Sequence, residues 1–224
     1  MSERSNIFFT SDTHFNHANI IKTRPHFQNE EVRDLMHKVA VEPEDSKRLH
    51  VLKGALSLAL LPCLYEMTEV MTYKWNAFVK PGDRVFHLGD FGLSWGKRRH
   101  GELMRRILGR LNGVKHLVIG NHDREEVTRL EGWNWVKPYY ELKVPMGGVR
   151  AQRICLFHYA QRTWNQMHRG AWMLHGHSHG NLPDIGGKTF DVGVDCHGFA
   201  PVSLEEVTAI MSRRPVVTPG DHHQ

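Results

Sequence analysis

The sequence predicts a layered α/β domain, and three observations predict it. Short apolar runs recur along the chain, and each stops on polar, ligand-capable residues. Helical patterns with one apolar face lie between these runs. The 224 residues are 40% hydrophobic and 24% charged, enough to bury one sizeable core and too apolar for a disordered chain. Alternating strands and helices point to sheets packed under helices, with a mixed sheet in the second half. In such folds binding sites gather at the carboxyl ends of the strands.

The elements follow in order. NIFFTSD (6–12) reads as a buried strand that ends on Asp12, with His14 just beyond. A polar turn, EPEDSKR, and an apolar stretch, GALSLALLPCL, then mark residues 39–67 as a helical insertion or cap. That stretch is shorter than the roughly 20 apolar residues that span a bilayer, and Pro62 interrupts it, so no membrane span is expected. KPGD forms a turn into a second strand, DRVFHLGD (83–90), ending at Asp90. KRRHGELMRRILGRLNG (97–113) is a helix with Leu103, Ile107, Leu108 and Leu111 on one face and Gly113 closing it. VKHLVIGNHD (114–123), RICLFHY (153–159) and AWMLHGHSH (171–179) are three further strands. VSLEEVTAIMS (202–212) opens a helix with Ser203 as N-cap and Glu206 three positions on, a capping box. The domain is expected over 1–214, with 215–224 as a flexible tail.

Bulk properties narrow the function. The net charge of +5 comes from 29 basic and 24 acidic residues, a mild excess that suits an anionic substrate or transient nucleic-acid contact. The densest basic stretch, GKRRHGELMRRILGR, has no interleaved aromatics to stack bases and reads as a solvated helix face. Trp133 and Trp135 read as core. The first residues lack a cationic segment followed by a long apolar one, so no signal peptide is expected. Cys63, Cys155 and Cys196 are odd in number and without motif spacing. They read as reduced thiols of a cytoplasmic protein.

The strand ends carry the chemistry. Collected in order they are Asp12, His14, Asp90, Asn121, His122, Asp123, His158, His177 and His179. Alone, each has a plainer reading: Asp12 as a cap, Asn121 as a turn residue, His158 as a core histidine. Together they are an oxygen and imidazole set without cysteine, which suits manganese, iron, cobalt or zinc. They are too many for one tetrahedral ion and point to two metals sharing a bridging carboxylate. His175, on the strand before the last pair, and His17 read as supporting residues.

DTH, GD, GNHD, a single His after an apolar strand, and GHSH, in that order, resemble the signature of the calcineurin-like metallophosphoesterases. HRGAWMLHGHSHGNLPD and DVGVDCHGFAPVSLEE are similar to a subgroup of small bacterial and phage predicted phosphoesterases. The resemblance implies a four-layer α/β/β/α sandwich. It also implies two divalent ions, manganese foremost, with iron, zinc, cobalt or nickel as substitutes. The first ion takes Asp12, His14, Asp90 and His179; the second takes Asp90, Asn121, His158 and His177. The implied activity is hydrolysis of a phosphodiester or phosphomonoester, with a metal-bridging hydroxide attacking in line. His122 is the implied general acid, or a hydrogen-bond donor to a phosphate oxygen; by residue type, His168 and Arg169 read either as contacts to the substrate phosphate or as a surface loop. Relatives often carry a later aspartate that orients the catalytic histidine, but here Leu93 stands in its place. The expected partner is a phosphate-ester small molecule or nucleotide. Nucleic acid is the partner under an alternative reading, a nuclease or end-processing phosphatase. A non-catalytic protein-binding scaffold is a third reading, disfavoured because every expected ligand position is filled.

Overall fold

The computed structural model describes residues 5–93, 99–147, 150–184 and 186–218. Its strands are β1 (Ile7–Thr10), β2 (Arg84–His87), β3 (Val114–Val118), β4 (Trp133–Lys137), β5 (Tyr140–Val144), β6 (Gln152–Leu156), β7 (Trp172–His175), β8 (Thr189–Asp191) and β9 (Val202–Ser203). Its α-helices are α1 (Glu30–Val41), α2 (Lys47–Phe78), α3 (Arg99–Arg110), α4 (Glu125–Thr128) and α5 (Leu204–Ser212). The first sheet has the order β4-β3-β2-β1-β9, parallel except for β9. The second has the order β5-β6-β7-β8, parallel except for β5. The chain is therefore an α/β protein with two mixed sheets.

Side-chain alternation explains how the layers stack. In β1, Ile7 and Phe9 point one way and join Phe86, Leu142, Ile154, Leu156 and Leu174 in a core between the sheets. Phe8 points the other way and joins Val85, Leu117 and the helices: Leu60, Met67 and Trp75 of α2, Met104 and Leu108 of α3. The outer face of the second sheet is met by the segment around a 3-10 turn, Met167–Arg169. Asn165 and Gln166 bond to Glu141, Arg153 and Cys155 there. Helix α5 starts with the expected capping box at Ser203 and Glu206.

Three expectations change. The helical region is not a cap confined to 39–67 but two helices, 30–41 and 47–78, and α2 is the layer that covers the first sheet. Pro62 sits inside α2 without ending it, because the apolar face runs unbroken from Leu49 to Trp75 and packing overrides the lost backbone bond. By length and composition α2 could cross a membrane, which the shorter apolar stretch read from the sequence could not. It packs one long face into the core of this globular domain instead. In α3 the inward residue of its second turn is Met104, and Leu103 is exposed, since Met104 is the one in step with Ile107, Leu108 and Leu111. Residues 97–98 of that expected helix and 219–224 of the expected tail lie outside the described residues.

Candidate metal centre

Parallel strands deliver the site. The carboxyl ends of β1, β2 and β3 in one sheet and of β6 and β7 in the other meet at one edge of the inter-sheet core. After β1 come Asp12 and His14; after β2, Asp90; after β3, Asn121 and His122; after β6, His158; after β7, His177 and His179. Backbone bonds splice the strand ends: Asp12 N–H to Gly89 O at 2.9 Å, His14 N–H to Asp90 O at 3.0 Å, Gly176 N–H to His158 O at 2.9 Å. Asp12, His14, Asp90, His177 and His179 all have φ between 49° and 69°. Non-glycine residues rarely adopt that left-handed region, and they cluster in it where function holds them.

Two triads result: Asp12, His14 and His179, and Asp90, His158 and His177. Within each, one donor atom per residue lies within 4.8 Å of the others. Asp90 sits between them. Its Oδ2 is 3.6 Å from His14 Nε2 in one triad and 3.6 Å from His158 Nε2 in the other. Its Oδ1 accepts the His122 backbone N–H at 2.8 Å. Asn121 joins the second group, its Oδ1 2.8 Å from His158 Nε2.

Neighbours fix which nitrogen of each ring faces inward. His158 Nδ1 donates to Leu88 O at 2.8 Å, so in the neutral ring Nε2 turns a lone pair toward Asn121 Oδ1 and Asp90 Oδ2. Three acceptors converging there fit a cation. In the first triad Asp12 Oδ1 and His14 Nε2 are buried without a hydrogen-bond partner among the described residues, the condition a cation relieves. His179 Nδ1 donates to Asp195 Oδ2 at 2.7 Å, and Arg24 grips the same carboxylate through Nε at 2.8 Å and Nη2 at 2.7 Å. His17 Nδ1 is 3.1 Å from His14 Nδ1.

The charges agree with this layout. Burial pushes the Asp12 carboxyl up to about 7, with Asp90 adding to the push and Ser11 opposing it. Burial holds His14 well below the usual imidazole range, helped by Arg24. The bond to Asp195 raises His179. The Asp195 carboxyl, despite its burial, is held low by His179 and Arg24. These donors are thus kept oriented where an added positive charge is favoured.

The remaining expected residues divide. The ring of His122 lies over the first triad, its centroid 5.3 Å from His14 and 5.5 Å from His17. Leu93 is buried, and among the described residues no carboxylate bonds to the His122 ring. Asp123 does not orient it. It accepts the backbone N–H groups of Asp90, Phe91 and Gly120 at 2.8–2.9 Å and so pins the Asp90 loop. His175 is buried on β7, with Nδ1 3.1 Å from Gly176 O. His168 and Arg169 are not at the site: their turn leads into the amino end of β7, opposite to the end that carries His177. Gly170 and Ala171 place them there by chain geometry, a constraint the motif order does not contain. Trp133 and Trp135 are partly buried and pack against the core, on Phe91 and Phe86.

Sequence reading did not assign Arg24 and Asp195. Asp195 lies in DVGVDCHGF, where an acid beside a histidine motif was the available signal; Arg24 has no local signal. A cleft of about 420 Å³, lined by Arg24, His26, His179, Asn181, Asp195 and Phe199, opens beside this pair.

No protein-family model matches the chain. It is similar to the uncharacterized protein MJ1445 of Methanocaldococcus jannaschii, 29% identical over 220 residues and 94% of each chain. It is also similar to the Gene 66 protein of Mycobacterium phage D29, 26% identical over 232 residues, covering 93% of this chain and 96% of that one. Among solved structures it resembles the protein of unknown function AQ665 from Aquifex aeolicus, with a TM-score of 0.59 and 22% identity. That match covers 92% of this chain and 100% of the other, and it shows a shared α/β fold.

Proposed function

We propose that the chain is a divalent-metal-dependent phosphoesterase, acting on a phosphodiester or phosphomonoester, on a four-layer α/β/β/α sandwich of the metallophosphoesterase type. The observation that carries this reading is the position of Asp90 Oδ2, 3.6 Å from a histidine of each triad. A carboxylate with two such neighbours suits two cations that share it. Asp12, His14, Asp90 and His179 would hold one ion, and Asp90, Asn121, His158 and His177 the other. Manganese is the first choice for this oxygen and nitrogen set. When bound, the ions supply an acidified water and neutralise the charge of the phosphate ester.

The chain's own residues do the rest. Asp195 and Arg24 fix the His179 ring, and Leu88 O fixes the His158 ring, so their inward nitrogens need no reorientation. His122 stands over the first triad, where it can donate a proton to the departing oxygen or a hydrogen bond to a phosphate oxygen. The substrate is a small phosphate ester or nucleotide, and the cysteine pattern favours a cytoplasmic setting, with Cys63, Cys155 and Cys196 all free.

The test is a metal-reconstituted screen that sets a phosphomonoester, a phosphodiester and 2′,3′-cyclic nucleotides side by side. Hydrolysis that appears with manganese, and that Asp90→Asn removes together with most metal binding, is the expected result. Full metal content and full turnover in Asp90→Asn, or no hydrolysis of any of these esters with manganese, iron, zinc, cobalt or nickel, overturns the proposal.

A further inference from the structure

Helix α2 buries one face and exposes another that is also apolar. Leu49, Leu52, Leu56, Leu60, Cys63 and Met67 face the core. On the opposite side Val51, Leu58, Leu61 and Tyr65 are 68%, 70%, 53% and 69% exposed. At about 100° per residue these four, with Gly54, Ala55 and Pro62, fall on one straight stripe within about 60° of Leu58. The stripe runs for about 21 Å from Val51 to Tyr65. Single exposed apolar residues are ordinary, but a continuous stripe of this kind marks a contact surface.

The stripe is self-complementary. Leu58 is its midpoint, and its members come in pairs equidistant from Leu58. Across a two-fold antiparallel pair Val51 meets Tyr65 near the centre line, Gly54 meets Leu61 on one side and Ala55 meets Pro62 on the other. The charges follow the same division. Of the charges beside the stripe, Lys47, Arg48 and His50 precede the midpoint while Glu66 and Glu69 follow it, and Arg48 and Glu66 lie on the same side of it. Glu69 is already held by Arg110 of its own chain. Gly54 leaves open space where a Cβ would stand, room for Leu61 of a facing helix. A parallel partner helix would set basic end on basic end. An antiparallel copy sets basic on acidic, large on small, and Leu58 on Leu58.

We propose that α2 docks antiparallel on α2 of a second copy of this chain, with the two-fold axis at Leu58. The surface is a single helix face, small beside a standard interface of about 800 Å² per partner, so the dimer is expected to form at micromolar rather than nanomolar concentration. It lies on the α2 layer and uses none of the candidate metal ligands, so it stands or falls independently of the proposed activity.

Sedimentation of the full chain at tens to hundreds of micromolar, a range set by that affinity, should show a species of twice 25.9 kDa. Leu58→Glu, at an exposed position, should return the single-chain mass with an unchanged circular dichroism spectrum. Cross-linking with a short bismaleimide in a Cys196→Ser background fixes the direction, because Cys63 and Cys155 are buried. Leu58→Cys should link to itself. Val51→Cys should not, its two copies being about 21 Å apart, but should link when mixed with Tyr65→Cys. A single-chain mass at the highest concentration, a dimer that survives Leu58→Glu, or self-linking of Val51→Cys overturns the proposal. Binding to lipid vesicles by a chain that stays monomeric overturns it too.

Discussion

Asp12, His14, Asp90, His177 and His179 hold backbone angles that cost a side-chain-bearing residue about 1–3 kcal/mol each. They persist because the neighbouring loops over-determine them. Asp123 accepts three backbone N–H groups of the Asp90 and Gly120 loops, and Asp12 Oδ2 accepts the His177 N–H at 2.9 Å. Close backbone approach is part of this constraint. A Cβ on Gly176 would lie 1.9 Å from Ser11 Oγ and 2.4 Å from Asp12 Oδ2. Gly176→Ala must therefore push apart the very loops that place Asp12 and His177. We expect it to cost about 1–3 kcal/mol of stability and most metal binding, read by urea unfolding and calorimetric titration with manganese. Unchanged manganese affinity would show that the loops can separate without moving the ligands. His122 poses a different question, because no carboxylate among the described residues orients its ring. Under the proposed activity, His122→Ala should keep the metal content and lower kcat by about 10²–10⁴-fold, least for a p-nitrophenyl ester whose leaving group needs no proton. Equal loss across leaving groups of different basicity would leave His122 with a phosphate-binding role only. The residues of the two triads were legible in the sequence as candidates, since each follows an apolar strand. The backbone strain that aims them was not, because it arises from contacts between loops far apart in the chain.

At the level of elements, the chain from Arg24 through Asp195 to His179 ties the start of the fold to its end. Arg24 lies between two 3-10 helices, Ala18–Thr23 and Pro25–Phe27, and Asp195 lies in a third, Val194–Cys196. The guanidinium also donates to Asp12 O at 2.7 Å, so one buried cation braces the loop of one ligand and the partner of another. Asp195→Asn should weaken manganese binding by about 10–100-fold while the fold stays intact, measured by titration beside circular dichroism. An unchanged affinity would mean that His179 is oriented by packing alone. Helix α2 offers a prediction of the opposite sign. Pro62 removes one backbone bond inside a continuous helix, and its ring faces solvent, so no core contact depends on it. Pro62→Ala should raise stability by up to about 3 kcal/mol in urea unfolding; a loss would show that the ring is needed for packing. The strands with polar ends were readable because apolar runs of this length signal burial on both faces. β8 and β9 have only three and two residues, too few for a periodic signal, and exist because β7 and β1 offer them an edge. The end of α2, at Phe78 rather than 67, was not legible because the apolar stretch that signals the helix stops at Leu64, and the core that buries Met71 and Trp75 is not a local signal.

Across the whole molecule, two sheets share one core, and the ends of strands from both arrive at the same edge. That convergence makes a site out of motifs spread from Asp12 to His179. The order of the motifs was visible in the sequence, whereas the pairing of residues 171 positions apart, Arg24 with Asp195, was set only by the folded sheets. Burying so many titratable groups together also sets the pH response. Burial pushes Asp12 up to about 7 and Asp123 to about 6. With metal chelated, these raised carboxyls contribute fully below about pH 4, and their contribution is lost as pH rises through 6 to 7. Burial moves His17 down to about 4 and His87 to about 3. For these depressed imidazoles the contribution is present above about 6.5 and is lost as pH falls toward 3 to 4. The two effects oppose one another between pH 4 and 6.5, and below 4 the histidine loss is joined by that of carboxyls held low, Asp195 among them. His87 is the cleaner probe, being fully buried with Nε2 3.0 Å from Thr13 Oγ1 and its ring against Phe91 and Trp133. Its native form binds no proton over a range where the unfolded chain does. It should therefore steepen the acid limb by up to about 1.4 kcal/mol per pH unit. His87→Phe, in chelator, should flatten the dependence of unfolding free energy on pH between 6.5 and 3 by that amount, whatever its effect on stability at neutral pH. Identical slopes for variant and wild type would show that His87 takes up a proton in the native state and that the acid limb belongs to other groups.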